Sequence, residues 1–135
     1  MKFPYQFIAL LSFSATSLAS DPGWVDAGTT SDGNTSYSIK QNSITHDSNK
    51  KGDPITVAVV RSTSKNSDKI DIKKWYVSDR DCDNEYGRVI VLSMGDEFFV
   101  EAPYAKGSKA LASNIAEIIC IVGQRMRSEL DISTE

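Results

Sequence analysis

The sequence predicts an α+β domain: an antiparallel sheet of about five or six strands packed against one C-terminal helix, with one disulfide. Three observations predict it. Short segments between Trp24 and Glu101 alternate polar and apolar residues and are punctuated by Gly, Asp and Asn, the pattern of half-buried strands joined by turns. The segment from Lys109 to about Arg127 repeats its apolar residues at helical spacing. The chain has two cysteines, Cys82 and Cys120, 38 positions apart, one in the strand region and one in the helix.

The N-terminal segment is read as a leader. Lys2 gives a short positive region, Phe7-Ile8-Ala9-Leu10-Leu11 begins an apolar run, and Ser17-Leu18-Ala19 is a small-x-small site. This is the layout of a secretory signal peptide cleaved after Ala19, too short for a membrane span. Residues 1–19 are therefore assigned to a signal peptide, 20–127 to one domain and 128–135 to a flexible C-terminal tail. Removing 19 of 135 residues leaves 116, enough for a single modest core. With one leader lysine gone, 14 basic residues face 18 acidic ones, a net charge of −4. The basic residues are scattered in pairs, so nucleic acid is not an expected partner. No cysteine stands at the cleavage point, so no lipid anchor is expected. The expected location is periplasmic or secreted.

Trp24-Val25-Asp26-Ala27-Gly28 reads as the first strand and Ser31-Asp32-Gly33-Asn34 as a hairpin turn. Ser36-Tyr37-Ser38-Ile39 is a second strand, which Ser43-Ile44-Thr45-His46 extends or follows; Asp47 to Pro54 is a loop. In Ile55 to Arg61, Ile55, Val57 and Val59 share one face. The strand around Trp75 places Trp75, Val77 and Asp79 on one face and Tyr76, Ser78, Arg80 and Cys82 on the other, ending at a polar corner. Val89 to Leu92 is apolar on both faces, as in a covered strand. Glu97 to Glu101 is the last strand and Pro103 to Gly107 a connector. Ser108 caps the helix. Leu111, Ile115, Ile118, Ile119, Val122 and Met126 fill one side of it. Ala112, Ala116, Cys120 and Gly123 widen that side and permit close approach of a strand.

Two cysteines in an exported chain are expected to pair. Closing such a loop contributes roughly 4 kcal/mol by chain-entropy arithmetic, a large share of the roughly 5–15 kcal/mol that holds a domain together. Zinc needs three or four ligands, and the chain has two Cys and one His. Asp79, Asp81, Asp83 and Glu85 alternate like a calcium loop. Counted from Asp79, however, the positions that need Gly and Glu hold Asn84 and Ile90. Neither a metal nor a cofactor is assigned. His46 reads as an exposed loop residue. No nucleophile elbow, phosphate-binding loop or zinc-protease motif occurs, so no catalytic residue is assigned and an enzyme is not expected. Dispersed carboxylates remain a third, hydrolytic alternative. Trp24, Trp75 and Phe98 read as packing residues. Tyr86 and Tyr104, beside turns, read as exposed contact residues.

The order of these features resembles the surface-adhesin protein E family of bacterial envelope proteins. The likeness runs from Trp24-Val25 through Tyr37, Asn42-Ser43-Ile44, Val57 to Val60, the aromatic strand ending in Cys82 and Arg88-Val89-Ile90, to Ile115-Ala116-Glu117-Ile118-Ile119-Cys120. It implies a sheet packed on a C-terminal helix and tied by the disulfide, in a Gram-negative envelope protein. The expected function is an exported, non-enzymatic binding module that recognises a protein partner, host matrix or envelope, through exposed loops and a sheet edge. The alternative is a periplasmic immunity or inhibitor protein that neutralises a toxin or hydrolase through an acidic corner. The candidate partner contacts are Asp79, Asp81, Asp83, Glu85, Tyr86 and Tyr104.

Overall fold

The computed structural model describes residues 22–95 and 99–134, with side chains through residue 129. The leader, Glu97, Phe98 and Glu135 lie outside the described residues. The elements are β1 (Trp24–Thr29), β2 (Thr35–Lys40), β3 (Thr45–Ser48), β4 (Pro54–Ser64), β5 (Ile70–Ser78), α1 (Asp79–Asn84), β6 (Tyr86–Ser93), β7 (Phe99–Ala105) and α2 (Leu111–Thr134).

The seven strands form one antiparallel sheet ordered β1-β2-β4-β5-β6-β7, with β3 also paired to β4. The eleven-residue β4 organises it. Its second half pairs with β2, from Ile39↔Val60 to Thr35↔Ser64, and its first half with β3, from Ser48↔Pro54 to Thr45↔Val57. Its other edge pairs along Ile55 to Thr63 with β5. Strand β3 begins within the segment expected to extend or follow β2 and ends inside the expected loop, which leaves 49–53 as the connection.

Alternation sorts the faces. Thr56, Ala58 and Val60 of β4, Trp75 and Val77 of β5, Val89 of β6 and Tyr104 of β7 are buried on one side, with Ile39 of β2. Helix α2 covers that side, touching β7, β5, β1, β4 and β6. Ile115, Ala116 and Ile119 are fully buried there, and Leu111, Ala112 and Ile118 pack against them. A helix with so wide an apolar arc needs a sheet to cover it, and the sheet needs the helix.

Four expectations are corrected. The corner after Ser78 is a short helix, not a continued strand, so the period-two assignment of Arg80 and Cys82 to the Tyr76 face fails. The Ser78 hydroxyl caps α1 by accepting the Asp81 N–H at 3.1 Å, and Glu85 closes it in the left-handed region. Helical periodicity turns Cys82 inward, where it is 3 % exposed. Strand β7 continues through Pro103 and Tyr104 to Ala105 where a connector was expected. Helix α2 runs on to Thr134 rather than ending in a tail near Arg127. Finally, Tyr104 is buried, not exposed. It follows Ala102 by two positions, so it shares the helix-facing side of β7.

Cys82 and Cys120 form the disulfide, with Cα atoms 5.3 Å apart. The bridge therefore joins α1 to α2 and holds both against the sheet. At the start of α2 the Ser108 hydroxyl accepts the Ala110 N–H at 3.1 Å.

Candidate functional site

Two regions concentrate chemistry: the α1 corner on the helix side, and the sheet face that α2 leaves open.

At the corner, the Thr56 hydroxyl on β4 donates to Asp79 Oδ1 at 3.0 Å and lies 3.3 Å from His46 Nδ1 on β3. Arg127 of α2 reaches Asp79 Oδ2 at 3.6 Å and Asp83 Oδ1 at 3.4 Å, and Gln124 donates to Asp83 at 3.2 Å. His46 is thus half-buried in a strand rather than exposed in a loop, with Nε2 sealed from solvent and without a hydrogen-bond partner among the described residues. Hydroxyl, imidazole and carboxylate stand together as they would around a nucleophile, but the proton logic differs. A nucleophile gives its proton to the imidazole. Here the single hydroxyl proton goes to the carboxylate, so His46 Nδ1 must donate to Thr56 Oγ1. Thr56 is 1 % exposed beneath Gly123, so no substrate carbonyl can reach it. The cluster joins β3, β4, α1 and α2 and acts as structure.

The six candidate contact residues do not share one surface. Asp79 points into the cluster just described. Asp81 accepts the Arg88 N–H at 3.1 Å and lies 3.9 Å from Arg80 Nε. Asp83 faces Gln124 and Arg127. Glu85 accepts from Lys106 Nζ at 2.9 Å, and this contact raises the Lys106 pKa. Every carboxylate of the acidic run is engaged with a donor of the chain itself. Tyr86 is 65 % exposed, as expected. Tyr104 is 3 % exposed and cannot meet a partner at the surface; burial, with Glu117 and Glu85 nearby, raises its phenol pKa.

The open face was not singled out from sequence. Its side chains align in cross-strand rows. One row is Val57↔Tyr76↔Ile90↔Glu101, continued on β3 by Thr45. The next is Val59↔Lys74↔Leu92↔Phe99. Apart from Thr45 and Val59, these residues line a broad groove of about 810 Å³, with the 49–53 loop at one end and α1's first turn beside it. Val57, Tyr76, Ile90 and Leu92 are half-buried and Phe99 is exposed. Desolvation, and then the negative charge of Glu101, raise the Tyr76 pKa, so the phenol keeps its proton at neutral pH. Glu101 pairs with Arg88 at 3.5 Å. The signal lay in the apolar residues at odd positions of β4 and even positions of β6. These were legible as strand residues, but their alignment depends on register.

Both outermost strands of the main order carry an interruption. Strand β1 carries an irregularity between Asp26 and Gly28 in its pairing with β2, and β7 carries Pro103, which lacks an N–H. Arg61 lies over the Trp24 ring at 4.4 Å, so Trp24 packs by a cation–π contact near the β1 edge. Among the described residues no group of three or more His, Cys, Asp or Glu could hold a metal, and no helix is long and apolar enough to cross a membrane.

Comparison with known proteins finds no matching family model, no matching curated protein and no matching solved structure.

Proposed function

We propose that this chain is an exported, non-enzymatic binding module of the surface-adhesin protein E kind, and that it recognises a protein partner through the open face of its sheet. The observation that carries the reading is the groove across β4, β5, β6 and β7. A half-buried apolar floor on one face of a sheet, left uncovered while the other face is sealed by α2, is the feature expected of an interaction site. The irregular β1 and the proline in β7 favour the face over the edge. The disulfide and the Thr56–Asp79–Arg127 cluster favour a rigid platform, and rigidity lowers the ordering cost of binding. The internally matched carboxylates of the α1 corner lend no support to an inhibitor that offers bare negative charge to a basic toxin.

The test is capture by the immobilised chain from a host-matrix preparation and from an envelope extract, with two variants in parallel. Phe99→Asp places a charge on the groove floor, and Asp83→Asn alters the corner. The reading expects capture to be lost with Phe99→Asp and kept with Asp83→Asn. Capture that survives Phe99→Asp and fails with Asp83→Asn would move recognition to the corner.

A further inference from the structure

We infer that the open face docks on the open face of a second copy of this chain, the two sheets stacking about a two-fold axis. The inference rests on the proposed reading of that face as the recognition surface and names its partner. Breadth is the first observation that carries it. The groove is one part of a wider apolar field. Ile72 and Ile70 stand on the same side of β5 as Tyr76, opposite Arg61 and Thr63 of β4, and are 38 % and 58 % exposed. Phe99 on β7 is 59 % exposed. The field runs about 20 Å along β5 from Tyr76 to Ile70 and about 14 Å across from β4 to β7, at about 3.3 Å per residue and about 4.8 Å per strand. That is wider than one extended segment. It suits a second sheet, because sheets stacked face to face interdigitate such side chains at a separation of about 10 Å.

Area is the second observation. The seven strands hold 51 residues. At about 3.3 Å by 4.8 Å each, their open side has a footprint of about 800 Å². A stable interface buries about 800 Å² on each partner, so this face alone is large enough for a dimer. Helix α2 covers the other side, so a second buried layer can form only here. Charge is the third. The chain carries a formal net charge of −3. Among the described residues, five basic and four acidic side chains line the groove, a balance of +1 that leaves −4 on the rest of the chain. Net charge of one sign keeps copies of a protein apart. The open face joins exposed apolar area to a balance near zero, so that repulsion does not oppose pairing there. A two-fold contact sets the same residues against one another, the commonest arrangement in soluble oligomers.

Sedimentation equilibrium of the disulfide-bonded protein tests this, with three single variants that retain the parent's circular dichroism. Phe99→Asp and Ile70→Asp charge the open face. Val25→Asp is the control, since Val25 is 54 % exposed and pairs with Ile39 on the helix side of the sheet. The inference expects a dimer at micromolar concentration. Its dissociation constant rises at least about tenfold in Phe99→Asp and in Ile70→Asp and stays unchanged in Val25→Asp. Backbone amide shifts of the labelled parent on dilution, expected at Val57, Tyr76 and Ile90, give the same answer without a variant. A protein that stays monomeric to about 1 mM overturns the second copy. If that monomer still captures a partner and loses it with Phe99→Asp, the open face stands as the recognition surface; if capture survives, both readings fall. A dimer that ignores both open-face variants, that breaks with Val25→Asp, or whose dilution shifts are confined to α2 also overturns the inference.

Discussion

Thr56 and Tyr104 show how much one side chain's position in a strand decides. Thr56 sits among Ile and Val residues in β4, where any apolar residue would suit the alternation. It is Thr because its hydroxyl meets Asp79 where α1 turns under α2. Replacing it by the near-isosteric Val removes the proton that Asp79 accepts, while Arg127 remains. A hydrogen bond to a charged group contributes about 1.5–3 kcal/mol, so Thr56→Val is expected to lower stability by about that amount, read from the urea midpoint at unchanged slope. Tyr104 gives a pH prediction. Its folded pKa is raised, first by burial, so its contribution is complete below the unfolded value near 10 and is lost as pH rises through the folded value. Tyr76 and Lys106, also raised, act in the same direction. Stability is expected to fall above about pH 10, and to fall less in Tyr104→Phe. Denaturation midpoints at neutral and alkaline pH check both statements, and an identical alkaline loss in the variant would refute the role of Tyr104.

Elements were legible wherever one periodicity ran without interruption. The alternation in β2, β4 and β5 and the helical repeat of α2 each mark one buried face, and those faces are the ones that meet. Period two ends at Ser78, where the chain enters the α1 corner. The pattern Ser78-Asp79-Arg80-Asp81 is a helix-start signature, with two acids in the first turn where the helix dipole favours them. Its carboxylate at Asp81 turns instead to the Arg88 N–H, tying α1 to β6. Helix α2 is fastened in the same way: the Ser113 hydroxyl accepts the Ala105 N–H at 2.7 Å and donates to the Ala105 carbonyl at 2.9 Å. Glu117 accepts the Gly107 N–H at 3.0 Å. Gly123 breaks helix propensity for a packing reason. A Cβ there would lie 2.6 Å from Thr56 Cγ2, inside a buried contact. Gly→Ala in a helix interior ordinarily gains about 1 kcal/mol. Here Gly123→Ala is expected to lose about 1–3 kcal/mol through overpacking, as a lower melting temperature. A gain would show that the helix can shift off the strand without cost.

For the whole molecule, the disulfide decides whether the two helices stay locked over one face. Cys82 and Cys120 are each 3 % exposed, and the bridge closes a loop that contains β6, β7 and the start of α2. Cys120→Ser is expected to lower stability by about 2–5 kcal/mol, seen as a large fall in melting temperature, while strand content at low temperature is retained. An unchanged melting curve would refute it. The sheet's two faces have opposite fates, one sealed by α2 and one open as a groove, so helix side and groove side can be perturbed separately. Thr56→Val should weaken the fold without altering capture through the groove, and Phe99→Asp, at an exposed position of the groove, should do the reverse.

The sequence by itself determined the α+β class, the antiparallel strands, the closing helix and the cysteine pair, because periodicity and covalent chemistry are local or nearly so. It also marked Tyr86 as exposed. Only the tertiary structure decided that Tyr104 is buried, that His46 and Asp79 share Thr56, and that the acidic run is matched by Arg127, Lys106 and the Arg88 backbone. The groove too is a product of register. Val57, Tyr76 and Ile90 are far apart along the chain and become one row only when three strands align. Alternation says which residues share a face, but pairing across strands says which of them touch.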